Sequence, residues 1–576
     1  MNERVATVNE VGAWRRWAVL AVLLLGSGVV LARAFELQVV QRDFLTAQGD
    51  ARSMRTITVP AHRGAIRDRH GEPLALSAPV DSVWAIPDEV LEAPEYLPAL
   101  GKMLNYGPGE LHKFLKQRKA RHFVYLRRAL NPDEAKRVLA LKAPGVFSLR
   151  EYRRYYPAGE VAGHVVGFCD VDGKGQEGME TAQDSTLRGT AGVRRVVRDR
   201  SGRVVEESDD FEQAQPGRDL TLTLDLHLQY IAYRELKAAV KEQHARGGLI
   251  VVLDAHTGEI LAMANQPGYN PNRAEDHDGR GLRNRAVTDI FEPGSTIKPL
   301  LIATALELGK YKPDSRIDTG PGFFKIGNMT VRDSHVTGEI NLARLLSKSS
   351  NVGAARVGLS LGAEAVYTGY QKFGIGEPVA AGYPGETNGV LRPFADWGQI
   401  ATATASFGYG VSVNALQLVR AYAALGNDGL MPALRLVTDA ARLPPQRAVS
   451  PRTAAQVRRL MEDVTTGDGT GVLASVPGYR VAGKTGTIRK LVAGGYVDDR
   501  HQSVFIGLVP AEAPRLVGLV MIDEPGKEQY YGGQVAGPVF SRVMQQAVRQ
   551  LQIEPDAPLI NTATSTVAPA LPGPKT

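Results

Sequence analysis

The stretch from Trp17 to Ala32, WAVLAVLLLGSGVVLA, holds no charged residue and is preceded by Arg15 and Arg16. With Arg33 snorkelling, the apolar run continues through Ala34 and Phe35, close to the ~20 residues or ~30 Å that a bilayer core requires. The basic flank is expected to stay in the cytoplasm, which places the rest of the chain outside it. The competing reading is a cleaved signal peptide with Ala32-Arg33-Ala34 as its small-x-small site. The uncharged core exceeds the ~7–15 residues of a signal h-region, so a retained anchor is expected. No second long apolar run follows. The chain therefore reads as single-span: a cytoplasmic tail over 1–16, an anchor over 17–37 and an external bulk.

That bulk is large enough for two to four domains, since 576 residues are available at ~150 per domain. A hydrophobic fraction of 43% and a charged fraction of 22% describe ordinary globular protein. Net charge is +7, but basic residues alternate with acids, and the densest patch (Arg194, Arg195, Arg198, Arg200, Arg203) is broken by Asp199. This pattern fits a solvated basic face with mild attraction to anionic lipid or wall polymer, and no nucleic-acid partner is expected. The single cysteine, Cys169, rules out an intramolecular disulfide and a thiolate metal cluster. Flanked by Gly167, Phe168 and Asp170, it reads as a small buried hydrophobe.

From Arg52 to about Val80, β-type runs alternate with turn signals, and helical patterns follow at Pro108–Arg118 and Asn131–Leu141. Asn131 is expected to cap the second of these ahead of Pro132. A Gly-rich section from Gly159 to Gly192 leads into the basic stretch. Nothing between Arg52 and Arg218 assembles nucleophile, base and orienter, so 50–217 reads as a mixed α and β pedestal for structure or partner binding. The texture changes near Gly217. Leu220–Leu224 alternates like a strand, Leu226–Ala245 is helical, and Gly248–Leu253 with Ile260–Ala264 reads as a hairpin. Val504–Val509 and Leu516–Ile522 look like buried strands, and Val535–Leu551 like a closing helix. Residues 218–553 are thus expected to form an α/β (α+β) domain, an antiparallel sheet flanked by helices. The Pro-, Ala- and Thr-rich segment 554–576 has little to bury and is expected to be disordered.

Three strings carry the chemistry: Ser295-Thr296-Ile297-Lys298, Ser349-Ser350-Asn351 and Lys484-Thr485-Gly486. They spell S-x-x-K, S-x-N and K-T-G, the parts of a serine acyl-transfer site. Ser295 is expected at the start of an apolar helix over Thr296–Leu308, where free N–H groups favour negative charge. Pro299 has no N–H for the Ser295 carbonyl, which predicts an irregular first turn. Lys298, one turn on, is positioned to accept the Ser295 proton. Its pKa must then fall from ~10.4 toward ~7, about 4–5 kcal/mol, through burial and a second cation, for which Lys484 is the candidate. Ser349 and Asn351 are expected at a turn between the helices Leu342–Lys348 and Val352–Leu361, relaying a proton and holding a substrate amide. Lys484-Thr485-Gly486-Thr487 follows the β-type run Tyr479–Ala482, so a strand edge there is expected to bind an extended peptide. Gly486 would admit a substrate backbone, and Thr485 and Thr487 would offer hydroxyls to a carboxylate. Simple alternation puts Lys484 and Thr485 on opposite faces, so a twist or bulge is needed for both to contribute.

Other patterns carry less. Gly478 to Thr485 matches G-x-x-x-x-G-K-[ST], but its interior is β-prone, the Gly494-Gly495 turn argues against a following helix, and an external location removes ATP. Glu275-Asp276-His277-Asp278 lacks metal-ligand spacing and reads as a solvated loop. Asp333, Ser334 and His335 are neighbours in sequence, whereas triad members meet in space, so no weight falls on them.

With these motifs the chain resembles the class B penicillin-binding proteins, most closely the division-specific type known as penicillin-binding protein three. The likeness runs from the anchor to about Leu551 and includes Arg63-Gly64-Ala65-Ile66-Arg67-Asp68, Tyr156-Pro157-Ala158-Gly159-Glu160, Gly178-Met179-Glu180, Thr257-Gly258-Glu259-Ile260-Leu261-Ala262 and Gly408-Tyr409-Gly410. It implies a β-lactamase-like serine transpeptidase domain on an elongated pedestal, anchored in the cytoplasmic membrane and active outside it, at the division septum. Ser295 would be acylated by a D-alanyl-D-alanine stem peptide, and the acyl group would pass to a neighbouring stem's amine. Lys298, Ser349, Asn351 and Lys484 would be catalytic, and Thr485, Gly486, Thr487 and Tyr409 would bind substrate. The N–H groups of Ser295 and Thr487 would form the oxyanion hole. β-Lactams would be inhibitors, a membrane-embedded glycan-polymerising protein and other division proteins would be partners, and no metal or organic cofactor is implied. Ser-Ser-Asn in place of the Ser-Asp-Asn of β-lactamases favours a penicillin-binding protein over a drug hydrolase. An elongation-specific relative and an acylated but non-catalytic sensor or scaffold are the rival readings.

Overall fold

The N-terminal apolar run forms one helix, α1 (Ala13–Phe35), with Trp17, Leu20, Leu24, Leu25 and Val29 all exposed. Its 23 residues extend ~35 Å at 1.5 Å per residue, enough to cross a hydrocarbon core. Among the described residues it is the one helix long and apolar enough to do so, with a mean hydropathy of 2.2. The structure, a computed structural model, describes residues 13–45, 54–198, 204–277, 279, 281–492, 495–526 and 529–558. Residues 1–12 of the expected cytoplasmic tail, Arg200, Arg203, Asp278, Gly494 and residues 559–576 lie outside them. The start of the segment expected to be disordered is pinned: Asp556 accepts the N–H groups of Arg480 at 2.7 Å and Glu512 at 3.2 Å.

The chain divides into two compact units. One comprises Met1–His62, Asp81–Glu151 and Thr190–Pro216. In it, the strand Gly192–Arg198 pairs antiparallel with Met54–Val59 and with Val204–Glu212. A small core gathers Val83, Leu100, Leu104, Leu115, Leu126 and Val138. The helix Pro132–Leu139 starts on Asn131 as expected, and the Glu134 carboxylate accepts the Asn131 N–H at 3.3 Å.

The other unit joins Arg63–Val80 and Tyr152–Gly189 to Gly217–Thr576. These two segments pack with the C-terminal segment through a parallel pairing of Ile66–Arg67 with Leu220–Thr221 and a shared apolar core that includes Ile66, Leu74, Val165 and Leu249, and a buried ion cluster ties the two to each other. Glu180 has a fully buried side chain and receives Arg63 Nε at 2.7 Å and Arg154 Nε at 2.7 Å, while Arg63 also donates to Asp184 at 2.7 Å. Both arginines are themselves buried. Buried charges of this kind require their counter-ions, so these two segments must fold together. Cys169 belongs to the same cluster, donating from Sγ to Glu180 Oε2 at 3.2 Å. It is a hydrogen-bonding thiol and not the plain hydrophobe expected. Burial and the neighbouring carboxylate push it up to about 12, so it is not a thiolate.

The centre of this unit is a five-stranded antiparallel sheet. Its strands are β1 (Gly247–Asp254), β2 (Ile260–Gln266), β3 (Ala482–Val492), β4 (Gly495–Val509) and β5 (Leu516–Asp523), in the order β2-β1-β5-β4-β3. The helices between β2 and β3 in sequence cover one face, where Leu249, Val251, Leu253, Ile506, Leu508 and Leu519 join the larger core. The helices α2 (Leu226–Glu242) and the C-terminal Gly532–Gln550 cover the other, where Ile250, Val252, Phe505 and Val520 meet Leu236, Phe540 and Met544. Burial on both faces explains why β1 and β5 read as unbroken apolar runs and not as alternation. It also leaves β3 at an open edge. The strand expected over Leu220–Leu224 is shorter: only Leu220–Thr221 ladders, and the Thr223 hydroxyl is spent on the Ile260 and Arg435 carbonyls.

Glu180→Ala would leave Arg63 and Arg154 buried without their shared counter-ion. We expect a loss of about 3–5 kcal/mol and a fall in Tm of roughly 10 °C, read by calorimetry. A variant melting with wild type would show that the cluster does not hold these segments.

Candidate active site

The turn that carries Ser295, the expected nucleophile, is built from constrained residues. Phe291 exchanges both backbone bonds with Val413, and then Pro293 and Gly294 (φ 51°) turn the chain into a 3-10 turn over Gly294–Ile297. The α-helix proper, α3 (Lys298–Glu307), begins later than expected. Pro299 supplies the reason foreseen from sequence, and the Ser295 carbonyl takes the N–H of Lys298 instead. Side chains three apart eclipse in a 3-10 turn, so Ser295 and Lys298 project to the same side. The Thr296 hydroxyl donates to Pro293 O at 2.6 Å, and Tyr422 donates to Thr296 O at 2.7 Å, locking the turn from below.

Ser349-Ser350-Asn351 falls between two helices, α4 (Leu342–Ser347) and α5 (Asn351–Leu361). Ser349 adopts φ 56°, a left-handed conformation rare for a residue with a side chain. Ser350 caps α5 by accepting Gly353 N–H at 2.8 Å. What holds this corner is Asp333, to which sequence reasoning gave no weight. Its carboxylate accepts the Ser350 hydroxyl at 2.6 Å, Asn351 N–H at 2.5 Å and Val352 N–H at 2.9 Å. An anion at a helix start is physically natural. The only trace in sequence was an acid after a short β-type run, and its neighbours Ser334 and His335 drew attention to the wrong chemistry.

Both motif lysines are completely buried. Lys298 Nζ donates to Ser349 O at 2.6 Å and Asn351 Oδ1 at 2.8 Å, and lies 3.3 Å from Ser349 Oγ. Lys484 Nζ donates to the same Ser349 Oγ at 2.9 Å and to Thr485 O at 3.0 Å. Burial pushes Lys298 down to about 7, with Asp333 opposing. Lys484 falls well below its ordinary value, through burial first and then the charge on Lys298. Burial, and not the second cation, is what depresses Lys298. The amines converge on Ser349 and Asn351, and Lys298 spends its three contacts there and none on Ser295.

Lys484 and Thr485 both serve the site without a bulge. The β3 ladder is regular from Ala482 to Arg489 and shifts only beyond it. The lysine stem is long enough to bring Nζ round to Thr485 O. Arg489 N–H reaches the Tyr409 hydroxyl, so it points away from β4. Antiparallel alternation turns the N–H and C=O groups of Thr487 and Thr485 the same way, toward the open edge. Thr485 Oγ1 pairs with Thr470 Oγ1 at 2.9 Å, and Thr487 Oγ1 accepts Gly532 N–H at 3.0 Å, keeping its own hydrogen to donate. Gly486 also has a close neighbour within the protein. A Cβ there would sit 3.0 Å from Thr296 Cγ2, so the strand passes against the nucleophile turn itself. Tyr409 stands beside the far end of β3, edge-on to Tyr496 at 5.4 Å, and does not touch the triplet.

The remaining patterns resolve simply. Lys484 and Thr485 lie inside a strand, so the loop-then-helix geometry of a phosphate-binding motif is missing there. His277 stacks on Phe168 at 3.7 Å and Asp276 accepts Asn270 N–H at 2.9 Å. No group of metal-ligating side chains comes together among the described residues.

Residues 248–545 match the family model of the penicillin binding protein transpeptidase domain, and residues 58–222 match that of the penicillin-binding protein dimerisation domain. The probable peptidoglycan D,D-transpeptidase PenA of Neisseria meningitidis is 43% identical over 554 residues, 96% of this chain and 95% of that protein. The peptidoglycan D,D-transpeptidase FtsI of Escherichia coli is 39% identical over 550 residues, 95% of this chain and 93% of that one. The crystal structure of penicillin binding protein 3 from Mycobacterium tuberculosis, complexed with aztreonam, superposes with a TM-score of 0.68 at 29% identity, covering 87% of this chain and 99% of that one.

Asp333→Asn would turn an amide N–H₂ toward donors that need an acceptor. We expect a loss of about 1–3 kcal/mol in thermal unfolding. Because Asp333 favours the charged form of Lys298, its removal should also move the acid midpoint of the site's activity to lower pH. An unshifted midpoint would separate Asp333 from the amine.

Proposed function

The chain belongs to the class B penicillin-binding proteins, and from that premise we propose that it is a serine-type peptidoglycan D,D-transpeptidase with Ser295 as nucleophile. The observation that carries this reading is the Ser349 hydroxyl shared by two buried amines, one of which, on Lys298, belongs to the turn that follows Ser295. A charged Lys298 has three protons for three acceptors. A neutral one keeps its two short bonds to Ser349 O and Asn351 Oδ1 and releases a lone pair. That lone pair accepts the Ser295 proton as Oγ attacks the carbonyl of the penultimate D-alanine. The oxyanion is met by the N–H groups of Ser295 and Thr487, the latter on the open edge of β3. Collapse breaks the peptide bond, and the terminal D-alanine leaves with a proton relayed through Ser349 and Lys484. The amine of a neighbouring stem then attacks the ester, its proton returns by the same route, and Ser295 is regenerated with a cross-link made. Asn351 orients the donor amide, Thr485 and Thr487 hold its terminal carboxylate, Gly486 keeps the strand close to the turn, and Tyr409 flanks the peptide. An extended stem peptide adding to β3 explains why the edge strand is left open.

We place the tail over 1–16 in the cytoplasm, the anchor over 17–37 in the inner membrane, the pedestal over 50–217 and the transpeptidase domain over 218–553 outside it. The same reading assigns the enzyme to the division septum, beside a membrane-embedded glycan polymerase and other division proteins, with β-lactams as acylating inhibitors. A fluorescent fusion along the lateral wall would favour elongation instead.

Fluorescent penicillin should label the purified protein stoichiometrically, and Ser295→Ala should abolish labelling; undiminished labelling would end the mechanism. Turnover of a stem-peptide thioester separates an enzyme from a sensor. Only neutral Lys298 is a base, so the acylation rate should rise with pH and level off above about 7. A rate independent of pH across that range would remove Lys298 from the role.

A further inference from the structure

Glu292 stands three residues before Ser295 and is buried, yet no step above uses it. Its backbone is fixed by the Phe291–Val413 pairing before it and by Pro293 and Gly294 after it. Its Oε1 accepts Gly410 N–H at 2.7 Å and the Tyr496 hydroxyl at 2.9 Å. Its Oε2 is buried and has no partner. Gly410 ends the Gly408-Tyr409-Gly410 turn, which is pressed against the nucleophile turn: Gly294 N–H donates to Gly408 O at 3.1 Å. Gly408 has φ +88°, and a Cβ on it would fall 2.1 Å from Gly294 O. Tyr496 opens β4 and meets Tyr409 edge-on. One carboxylate therefore ties together the nucleophile turn, the glycine turn and the end of the β3–β4 hairpin. Of the two rings, Tyr409 takes the Arg489 N–H on β3, and Tyr496 stands against Tyr409.

We propose that Glu292 is a positioning residue for acyl transfer, fixing Tyr496 and the Gly408–Gly410 turn against the nucleophile turn so that the cleft beside β3 keeps one width. The role deepens the Ser295 reading and rests on it. It belongs to the ionised side chain, which gives Gly410 and Tyr496 a charged acceptor. A protonated one would carry a hydrogen on Oε2, where no acceptor waits. The titratable groups facing Glu292 are Tyr496 on β4 and Tyr409 on the glycine turn, Arg489 on β3 acting on Tyr409 beyond them, and burial raises the Glu292 carboxyl above its ordinary value. The sign follows. The cleft is held above that raised value and loosens as pH falls through it, independently of the Lys298 titration at higher pH.

The test is the second-order rate of acylation of the full-length protein by fluorescent penicillin, followed across about pH 4.5 to 8. For wild type the logarithm of the rate should fall by about one decade per pH unit below the Lys298 midpoint, with an additional step of up to about one decade in total where Glu292 protonates. Glu292→Gln should be slower by roughly tenfold at neutral pH, the size of one charge-assisted hydrogen bond. It should also keep the same slope throughout, without the additional step. Tyr496→Phe should lose less, and adding it to Glu292→Gln should cost nothing more. A wild type that does not label at all would sink the Ser295 reading. A labelling wild type matched by Glu292→Gln in rate and slope, or losses that add in the double variant, would overturn this proposal alone. Should Glu292→Gln not fold, Tyr496→Phe decides, since it removes one hydroxyl from a partly exposed ring: an unchanged rate at every pH overturns the proposal.

Discussion

Two primary amines cannot both carry a full charge inside a protein while sharing one hydroxyl. Lys298 and Lys484 are fully buried and both touch Ser349 Oγ, and most of the catalytic unit can be read as the means of enforcing that situation. Each amine would rather be in water, and taking it out costs several kcal/mol unless the charge is surrendered. The surrounding architecture prevents escape. The β3 ladder fixes the Lys484 backbone, the 3-10 turn fixes Lys298, and the left-handed Ser349 corner offers both the same oxygen. Asp333 limits the effect, because it fastens that corner while pulling Lys298 back toward its charged form. The result is an amine near neutrality, not one permanently stripped of its proton.

The helical corner, the edge strand and the nucleophile turn come from segments far apart in sequence, and their register depends on small residues at the points of contact. Gly486 lets β3 pass Thr296, and Gly408 lets its turn lie on Gly294. The buried Arg63–Glu180–Arg154 cluster acts on a longer scale. It ties Arg63–Val80 to Tyr152–Gly189 by the need of buried charge for counter-charge, across a long stretch of intervening chain.

How much of this was legible in the chain follows from the range of each interaction. The three motifs, the hairpin of β1 and β2, the paired late strands and the helices around Ser349 rest on local pattern, and they appear close to where periodicity put them. The irregular start of α3 was readable because Pro299 acts within one turn. Asp333 and Glu292 were not readable. Their partners lie on other segments, 17 and 204 residues away for the Ser350 and Tyr496 hydroxyls, and nothing in an Asp or a Glu announces a distant donor. Nor could the chain announce that Thr296 packs against Gly486, since the two lie on distant segments.

The strand order carries a further consequence, for the time at which the site comes into being. β1 lies between β2 and β5, and its pairing with β5 joins Leu253 to Val517, almost half the chain apart. The helices bearing Ser295, Lys298 and Ser349 are inserted between the two halves of the sheet and have no complete floor until the last strands arrive. Closure of so long a loop is slow and entropically costly. A chain emerging from its N-terminus would therefore carry Ser295 without the complete site around it from the time that residue is made until the strand Leu516–Asp523 follows. The reactive serine is latent by construction until the final quarter of the polypeptide has emerged.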